Sequence, residues 1–149
     1  MSYIEIDTVS RVYPQKGGEF RALHEVSLTI ARGEFICLLG PSGCGKSTLL
    51  AALAGFDRVT SGHILIGGEE VGAPNIRNVT IFQNYGLLPW RTVEKNVELG
   101  LESLGIPAEE RGAIAQKYLA LVGLEKFAHS HPAELSGGMQ QRVAIARAL

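Results

Sequence analysis

Apolar positions fall into three regimes along the chain. Val26-Ser27-Leu28-Thr29-Ile30 alternates apolar and polar residues strictly, and Ile4-Glu5-Ile6-Asp7 does so over a shorter span. A period of two predicts half-buried strands. Pro14 to Gly18 lies between them with turn chemistry. His63-Ile64-Leu65-Ile66 reads as a further strand of the same small antiparallel sheet. Phe35-Ile36-Cys37-Leu38-Leu39 is instead continuously apolar and stops at Gly40, the pattern of a strand buried on both faces in a parallel sheet. Val79-Thr80-Ile81-Phe82 is a second candidate of that kind. After residue 90 the spacing becomes helical. Ile114, Tyr118, Leu121 and Val122 share one face, with Pro107 near the start and Gly123 at the end. Ser136 is placed to cap a last helix from Gly137, with Met139, Val143, Ala146 and Ala148 apolar and Gln140 to Arg142 polar.

Composition narrows the class. A chain of 149 residues, 46% hydrophobic and 19% charged, has the length of one domain and an ordinary globular balance. The net charge of −1 and the scattered Lys and Arg residues give no bulk attraction to nucleic acid. No apolar run approaches the roughly 18 residues of a membrane span, and the N-terminus lacks the basic flank and apolar core of a signal peptide. The expectation is a cytosolic chain, or one resting on a membrane protein without entering the bilayer. Cys37, inside an apolar run, reads as a small core residue, and no disulfide with Cys44 is expected in a reducing compartment.

Candidate chemistry begins at Gly40-Pro41-Ser42-Gly43-Cys44-Gly45-Lys46-Ser47, which matches G-x-x-x-x-G-K-[ST]. A buried strand is expected to enter it and an apolar helix, Ser47 to Ala54, to leave it. Phosphate oxygens need many donors at short range. Glycines let the backbone curl and turn its N–H groups inward, and the helix after them adds free N–H groups and a positive dipole end. A cation in the first helical turn is unfavourable without an anion to meet it, so Lys46 predicts a β- or γ-phosphate there. Ser47 would offer its hydroxyl to Mg²⁺, with Thr48 completing the loop. Cys44 sits where a thiolate is favoured, although a small residue that merely fits is the plainer reading. The ligand expected is ATP with Mg²⁺.

About ninety residues on, Leu135-Ser136-Gly137-Gly138-Met139-Gln140-Gln141-Arg142 offers another helix start with small residues. Read alone, it is equally a helix cap. L-S-G-G followed by x-Q-x-R resembles the signature of ABC-family ATPases, and the rest of the chain agrees in order and spacing. Gln83 resembles that family's Q-loop glutamine, although it also reads as a polar strand end. Tyr13 resembles its adenine-stacking aromatic, although a lone aromatic between strands is as often a packing residue. The resemblance implies an α/β fold: a P-loop NTPase core with an N-terminal antiparallel β-subdomain and an inserted helical subdomain at about 88–140, all within one nucleotide-binding domain over 1–149. It further implies that Gln83 contacts Mg²⁺ and the attacking water. In the family, Ser136, Gly137, Gly138 and Gln140 close over ATP held by a second ATP-binding subunit, here expected as a homodimer.

Phe82-Gln83-Asn84 through Leu87-Leu88-Pro89-Trp90-Arg91 is similar to ATPase subunits of taurine, nitrate and sulfonate importers. That implies transmembrane permease subunits, a periplasmic or extracellular solute-binding protein, and a peripheral place on the cytoplasmic face of the inner or plasma membrane. Leu87, Leu88 and Trp90 read either as a partner surface or as packing for a hinge. The alternatives are a soluble ABC ATPase acting on ribosomes or DNA, and a kinase or GTPase, whose families lack the signature. No segment offers an apolar strand ending in paired carboxylates. Glu69-Glu70 and Glu109-Glu110 read as solvated, and His129 and His131 as loop residues rather than metal ligands. The family's catalytic Glu and switch His are therefore expected beyond Leu149, in a longer protein. Residues 1–149 alone are expected to be inactive in turnover and poorly soluble.

Overall fold

The computed structural model describes residues 2–75 and 78–149. It divides into two compact units, Met1–Val79 and Thr80–Leu149.

The first unit is built on a four-stranded antiparallel sheet of order β2-β1-β3-β4, comprising β1 (Ser2–Gln15), β2 (Gly18–Ala31), β3 (Ser61–Ile66) and β4 (Glu69–Glu70). All three alternating segments are strands. The turn between β1 and β2 is tighter than the sequence suggests: Gln15 pairs with Gly18, and Pro14 is already in register with Glu19. Ile6 and Val9 are both buried although they are three residues apart. Simple alternation would send them to opposite faces. A shift of register between Ile6 and Val9, with Thr8 at φ 51°, inserts the extra residue that turns Val9 inward. The helix α1 (Lys46–Leu53) lays Leu49 and Ala52 onto this face, where Ile6, Val9, Leu23 and Ile64 close the core.

The expected parallel strands are absent among the described residues. Phe35 to Leu39 form no ladder, Phe35 and Leu39 are 91% and 88% exposed, and Cys37 is exposed rather than a core residue. Val79, Ile81 and Phe82 are likewise exposed and outside any strand. An apolar run becomes a doubly buried strand only when neighbours accept its N–H and C=O groups on both edges. After Ala31 the chain leaves the sheet through a turn at Gly33, and no partner strand receives it among the described residues.

The second unit is helical: α2 (Val93–Ser103), α3 (Ala108–Leu121) and α4 (Gly137–Ala148). Its core joins Val93 and Val97 of α2, Ala115 and Leu119 of α3, Val143 and Ala146 of α4, and Leu124 and Leu135 from the connections. The inward face of α3 is one position out of phase with the sequence expectation. Ala115 and Leu119 are buried, Tyr118 and Val122 flank them, and Leu121 is 71% exposed. The larger side chains mislead here because a small alanine is what lets α3 approach its neighbours. Gly123 ends the helix as expected, with φ 69°.

Candidate functional site

The loop from Gly40 to Thr48 is folded as a tight turn running directly into α1. Gly45 is the N-cap, at φ 93°, a conformation that L side chains rarely adopt. Its position also forbids a side chain: a Cβ there would lie 2.5 Å from the Ala22 carbonyl oxygen and 2.9 Å from Leu23 Cδ2. The loop is therefore clamped against β2, and only glycine permits the approach. Gly43, at φ 82°, supplies the other reversal. The first N–H groups of α1 have no intrahelical acceptor, and they open on a cavity of about 510 Å³ lined by Ser42, Gly43, Gly45, Lys46, Ser47 and Thr48 of the loop, with Phe20 and Ala22 of β2.

Lys46 is folded back within the loop. Its Nζ donates to the carbonyl oxygens of Gly40 and Pro41, each at 2.7 Å, and lies 3.4 Å from Cys44 Sγ. The ammonium of a first-turn lysine is thus held by neutral dipoles, weaker partners than an anion would be. Cys44 is exposed and its sulfur fills the space beside Gly40, where an added Cβ would lie 2.7 Å from it. Ser47 is exposed on the cavity wall. Mg²⁺ takes oxygen ligands and uses few protein groups when substrate phosphates share its shell. The Ser47 hydroxyl, beside donors suited to phosphate, fits that chemistry.

Tyr13 is anchored. Its hydroxyl donates to Asp57 Oδ2, and the Arg11 guanidinium lies 4.4 Å from its ring centroid while donating through Nε (3.0 Å) and Nη2 (2.5 Å) to the two Asp57 oxygens. Burial would push the Asp57 carboxyl up; the Tyr13 hydroxyl and Arg11 outweigh it and hold it below its ordinary range. The bond to Tyr13, with Asp57 beside it, raises Arg11 in turn. Phe20, not Tyr13, lies on the cavity wall. Sequence reasoning missed the Arg11–Asp57 pair, which is 46 residues apart in the chain, and missed Phe20.

In the helical unit, Gln83 is exposed in a run of turns from 83 to 86. Tyr85 is held at φ 62°. The Arg147 guanidinium donates to the Tyr85 carbonyl (2.9 Å) and the Gly86 carbonyl (2.6 Å), and a Cβ on Gly137 would lie 3.3 Å from the Tyr85 hydroxyl. The turn carrying Gln83 is therefore tied to the C-terminal end of α4 by Arg147, and the Tyr85 ring reaches close to the start of the helix at Gly137. Ser136 caps α4 as expected, accepting from the Met139 N–H at 3.3 Å. Ser136, Gly137 and Gly138 are all exposed. Gln140 is committed internally: its Nε2 donates to Pro132 (3.0 Å) and Leu135 (3.2 Å) carbonyls, fixing the approach to the helix.

The Leu87 to Trp90 segment divides in character. Leu87 packs on the helical core, whereas Trp90 is 73% exposed. The segment is organised by Asn96, a fully buried residue the sequence reading passed over. Its Oδ1 accepts from the Leu88 N–H (2.7 Å) and its Nδ2 donates to the carbonyls of Leu88, Arg91 and Thr92 at 3.0–3.1 Å. Asn is poor in a helix interior unless its amide has partners, so Asn96 within α2 was the available signal. No cluster of metal-ligating His, Cys, Asp or Glu occurs among the described residues, and no helix among them is long and apolar enough to cross a membrane.

Comparison with known proteins bears on the whole chain. An uncharacterized ABC transporter ATP-binding protein of Methanocaldococcus jannaschii is 47% identical over 98% of this chain and 55% of its own length. The nitrate import ATP-binding protein NrtD of Synechocystis sp. is 48% identical over 99% of this chain and 55% of its own. The bicarbonate transport ATP-binding protein CmpD of Synechocystis sp. is 45% identical over 99% and 53% respectively. The chain thus spans about half the length of these relatives. Among solved structures, a dimeric ATP-binding cassette in a post-hydrolysis state bound to ADP and Pi superposes with a TM-score of 0.84, at 36% identity, covering 98% of this chain and 68% of that one. Residues 23–149 match the family described as ABC transporter. A glycine-clamped loop at the start of α1, a serine-capped Ser-Gly-Gly helix and likeness over nearly the full chain agree, and the chain belongs to the ABC transporter family.

Proposed function

We propose that this chain is the nucleotide-binding part of an ATP-driven motor subunit in an importer of small anionic solutes. The observation that carries this is the cavity at the start of α1, lined by Gly43, Gly45, Lys46 and Ser47, with both glycines in the left-handed region. ATP is the ligand, with its β- and γ-phosphates in the Gly40–Thr48 loop. Lys46 would exchange two carbonyl partners for phosphate oxygens, gaining charge-assisted bonds. Mg²⁺ bound with the nucleotide would neutralise phosphate charge, with the Ser47 hydroxyl as its protein contact in the loop. Tyr13 belongs to the base end of this site. Relatives that are nitrate and bicarbonate import subunits support the anion class.

The signature residues Ser136, Gly137 and Gly138 act across a subunit boundary, on ATP held by a second copy. Their exposure at a helix start supports that role. The Ser136 hydroxyl caps its own helix as an acceptor and keeps its proton free to donate. The solvent-facing Trp90 belongs to the surface that meets a permease at the membrane face.

Ser136→Arg tests the cross-subunit role. In a polypeptide of the relatives' length, MgATP affinity should stay within about twofold, because the phosphate loop is untouched, while turnover falls by two orders of magnitude or more as a bulky cation blocks closure. ATP hydrolysis assays read both, and surviving turnover would remove the signature from the mechanism.

A further inference from the structure

The turn ahead of the helical core holds a conformation that its residue types alone do not explain. Tyr85 and Gly86 stand at φ 62° and 57°. Glycine adopts that region freely, and a bulky aromatic residue rarely does. A residue so strained persists only where its surroundings hold it. Two backbone bonds close the turn, from the Tyr85 N–H to the Phe82 carbonyl (2.9 Å) and from the Gly86 N–H to the Asn84 carbonyl (2.7 Å). Arg147, near the end of α4, commits its guanidinium to the Tyr85 and Gly86 carbonyls, although burial pushes its pKa down from the ordinary value.

The side chain of Tyr85 runs the other way. Its hydroxyl makes no hydrogen bond among the described residues and lies where a Cβ on Gly137 would come within 3.3 Å of it. The backbone of Tyr85 is thus bonded at the last turn of α4, and its ring ends at the first. The two glycines there differ. A Cβ on Gly137 meets Tyr85, whereas one on Gly138 meets nothing within 4 Å. This chain's own tyrosine accounts for the missing side chain at Gly137, and Gly138 stays open to what approaches from outside. Tyr85 has no room to yield to a larger residue at 137 without disturbing the turn or the Arg147 bonds.

We propose that Tyr85 is a positioning residue for the Ser136–Gly138 helix start: held by Arg147, it sets its ring end against Gly137, so that the turn at 82–86 and the first turn of α4 are fixed as one piece. This rests on the reading of Ser136, Gly137 and Gly138 as the residues that meet nucleotide across a subunit boundary. It gives Gly137 a partner within its own chain.

The test reads hydrogen exchange at the Tyr85 and Gly86 amides of the full chain, with α3 amides as the internal reference. Gly137→Ala should accelerate both about fivefold or more relative to α3, and Gly138→Ala should leave both within about twofold. Tyr85→Phe removes the crowded oxygen and breaks no hydrogen bond within the chain, so adding it to Gly137→Ala should restore protection. In a polypeptide of the relatives' length, Gly137→Ala should lower kcat for ATP about tenfold or more with MgATP affinity within about twofold, and the double variant should recover most of it. Unchanged exchange in Gly137→Ala, equal acceleration in Gly138→Ala, or turnover that Tyr85→Phe does not recover would each overturn the proposal. If Gly137→Ala unfolds the unit, with α3 exchanging as fast as the turn, Tyr85→Asn takes its place, because asparagine tolerates the left-handed region. The Met139 amide, which the Ser136 hydroxyl holds, should then exchange about fivefold faster, and an unchanged Met139 would overturn the proposal. Turnover that survives Ser136→Arg would instead bring down the cross-subunit reading and leave the exchange results standing.

Discussion

Replacing Lys46 by alanine is expected to lower MgATP affinity by at least about a hundredfold. Each charge-assisted bond contributes roughly 1.5–3 kcal/mol, and the ammonium is placed to give two, since it now makes two bonds to the Gly40 and Pro41 carbonyls. The loss will be less than the gross strength of the phosphate bonds, because wild-type binding must first break those internal ones. Fold is not expected to change much, as the loop is shaped by Gly43, Gly45 and the contact with Ala22 rather than by the lysine. Circular dichroism should therefore superimpose on wild type while binding disappears. Retained affinity would mean that the ammonium stays on its backbone carbonyls when nucleotide arrives, and that the loop amides act without it.

The second large effect lies in the helical unit. Asn96→Leu should lower stability by about 2–4 kcal/mol, because it preserves volume but leaves the Leu88 N–H and several carbonyls buried without partners. In a chain of this size that corresponds to a fall in unfolding midpoint on the order of 10 °C. The loss should be local before it is global. Hydrogen exchange at Leu88 should accelerate well before amides in α3 do, since Asn96 is what fastens residues 88–92 to α2. An unfolding midpoint within about 1 °C of wild type would show that the segment holds its course without the amide.

These two residues mark what the sequence can and cannot disclose. Lys46 stood out because the motif is local: glycines, lysine and serine within nine positions match a phosphate-loop pattern, and a tight turn into α1 forms where that motif lies. The antiparallel strands were legible for a similar reason, since alternation reports a one-sided environment whatever the partner. Ser136 was legible as a cap because capping involves only the next turn. Asn96 was hidden by its helix, where a polar residue ordinarily reads as solvent-facing; only its poor helix propensity hinted at a buried task. Phe20 was hidden because alternation assigns a face but not the loop that crosses it. Tyr13 was noticed, but its hydrogen bond to Asp57 depends on a contact 44 residues away. The Phe35–Leu39 run was misread because a continuous apolar segment states a demand for neighbours without supplying them. With no strand paired beside it among the described residues, Phe35 and Leu39 stand in solvent while Leu38 packs on the core of the first unit.

Asp57 illustrates the same distance problem in energetic form. Its lowered carboxyl makes a stabilising contribution above the ordinary carboxylate pKa, about pH 4, that fades as pH falls through the folded value. The brace on Tyr13 is accordingly complete at neutral pH, where nucleotide binding is to be measured.

The most direct measurement is calorimetric titration of the wild-type chain with MgATP near neutral pH. Saturable uptake of one nucleotide per chain, competed by inorganic tripolyphosphate, is the predicted result, since backbone amides and an ammonium at the start of α1 recognise the phosphates. Absence of any nucleotide uptake by a folded chain, or uptake that tripolyphosphate leaves untouched, would contradict it.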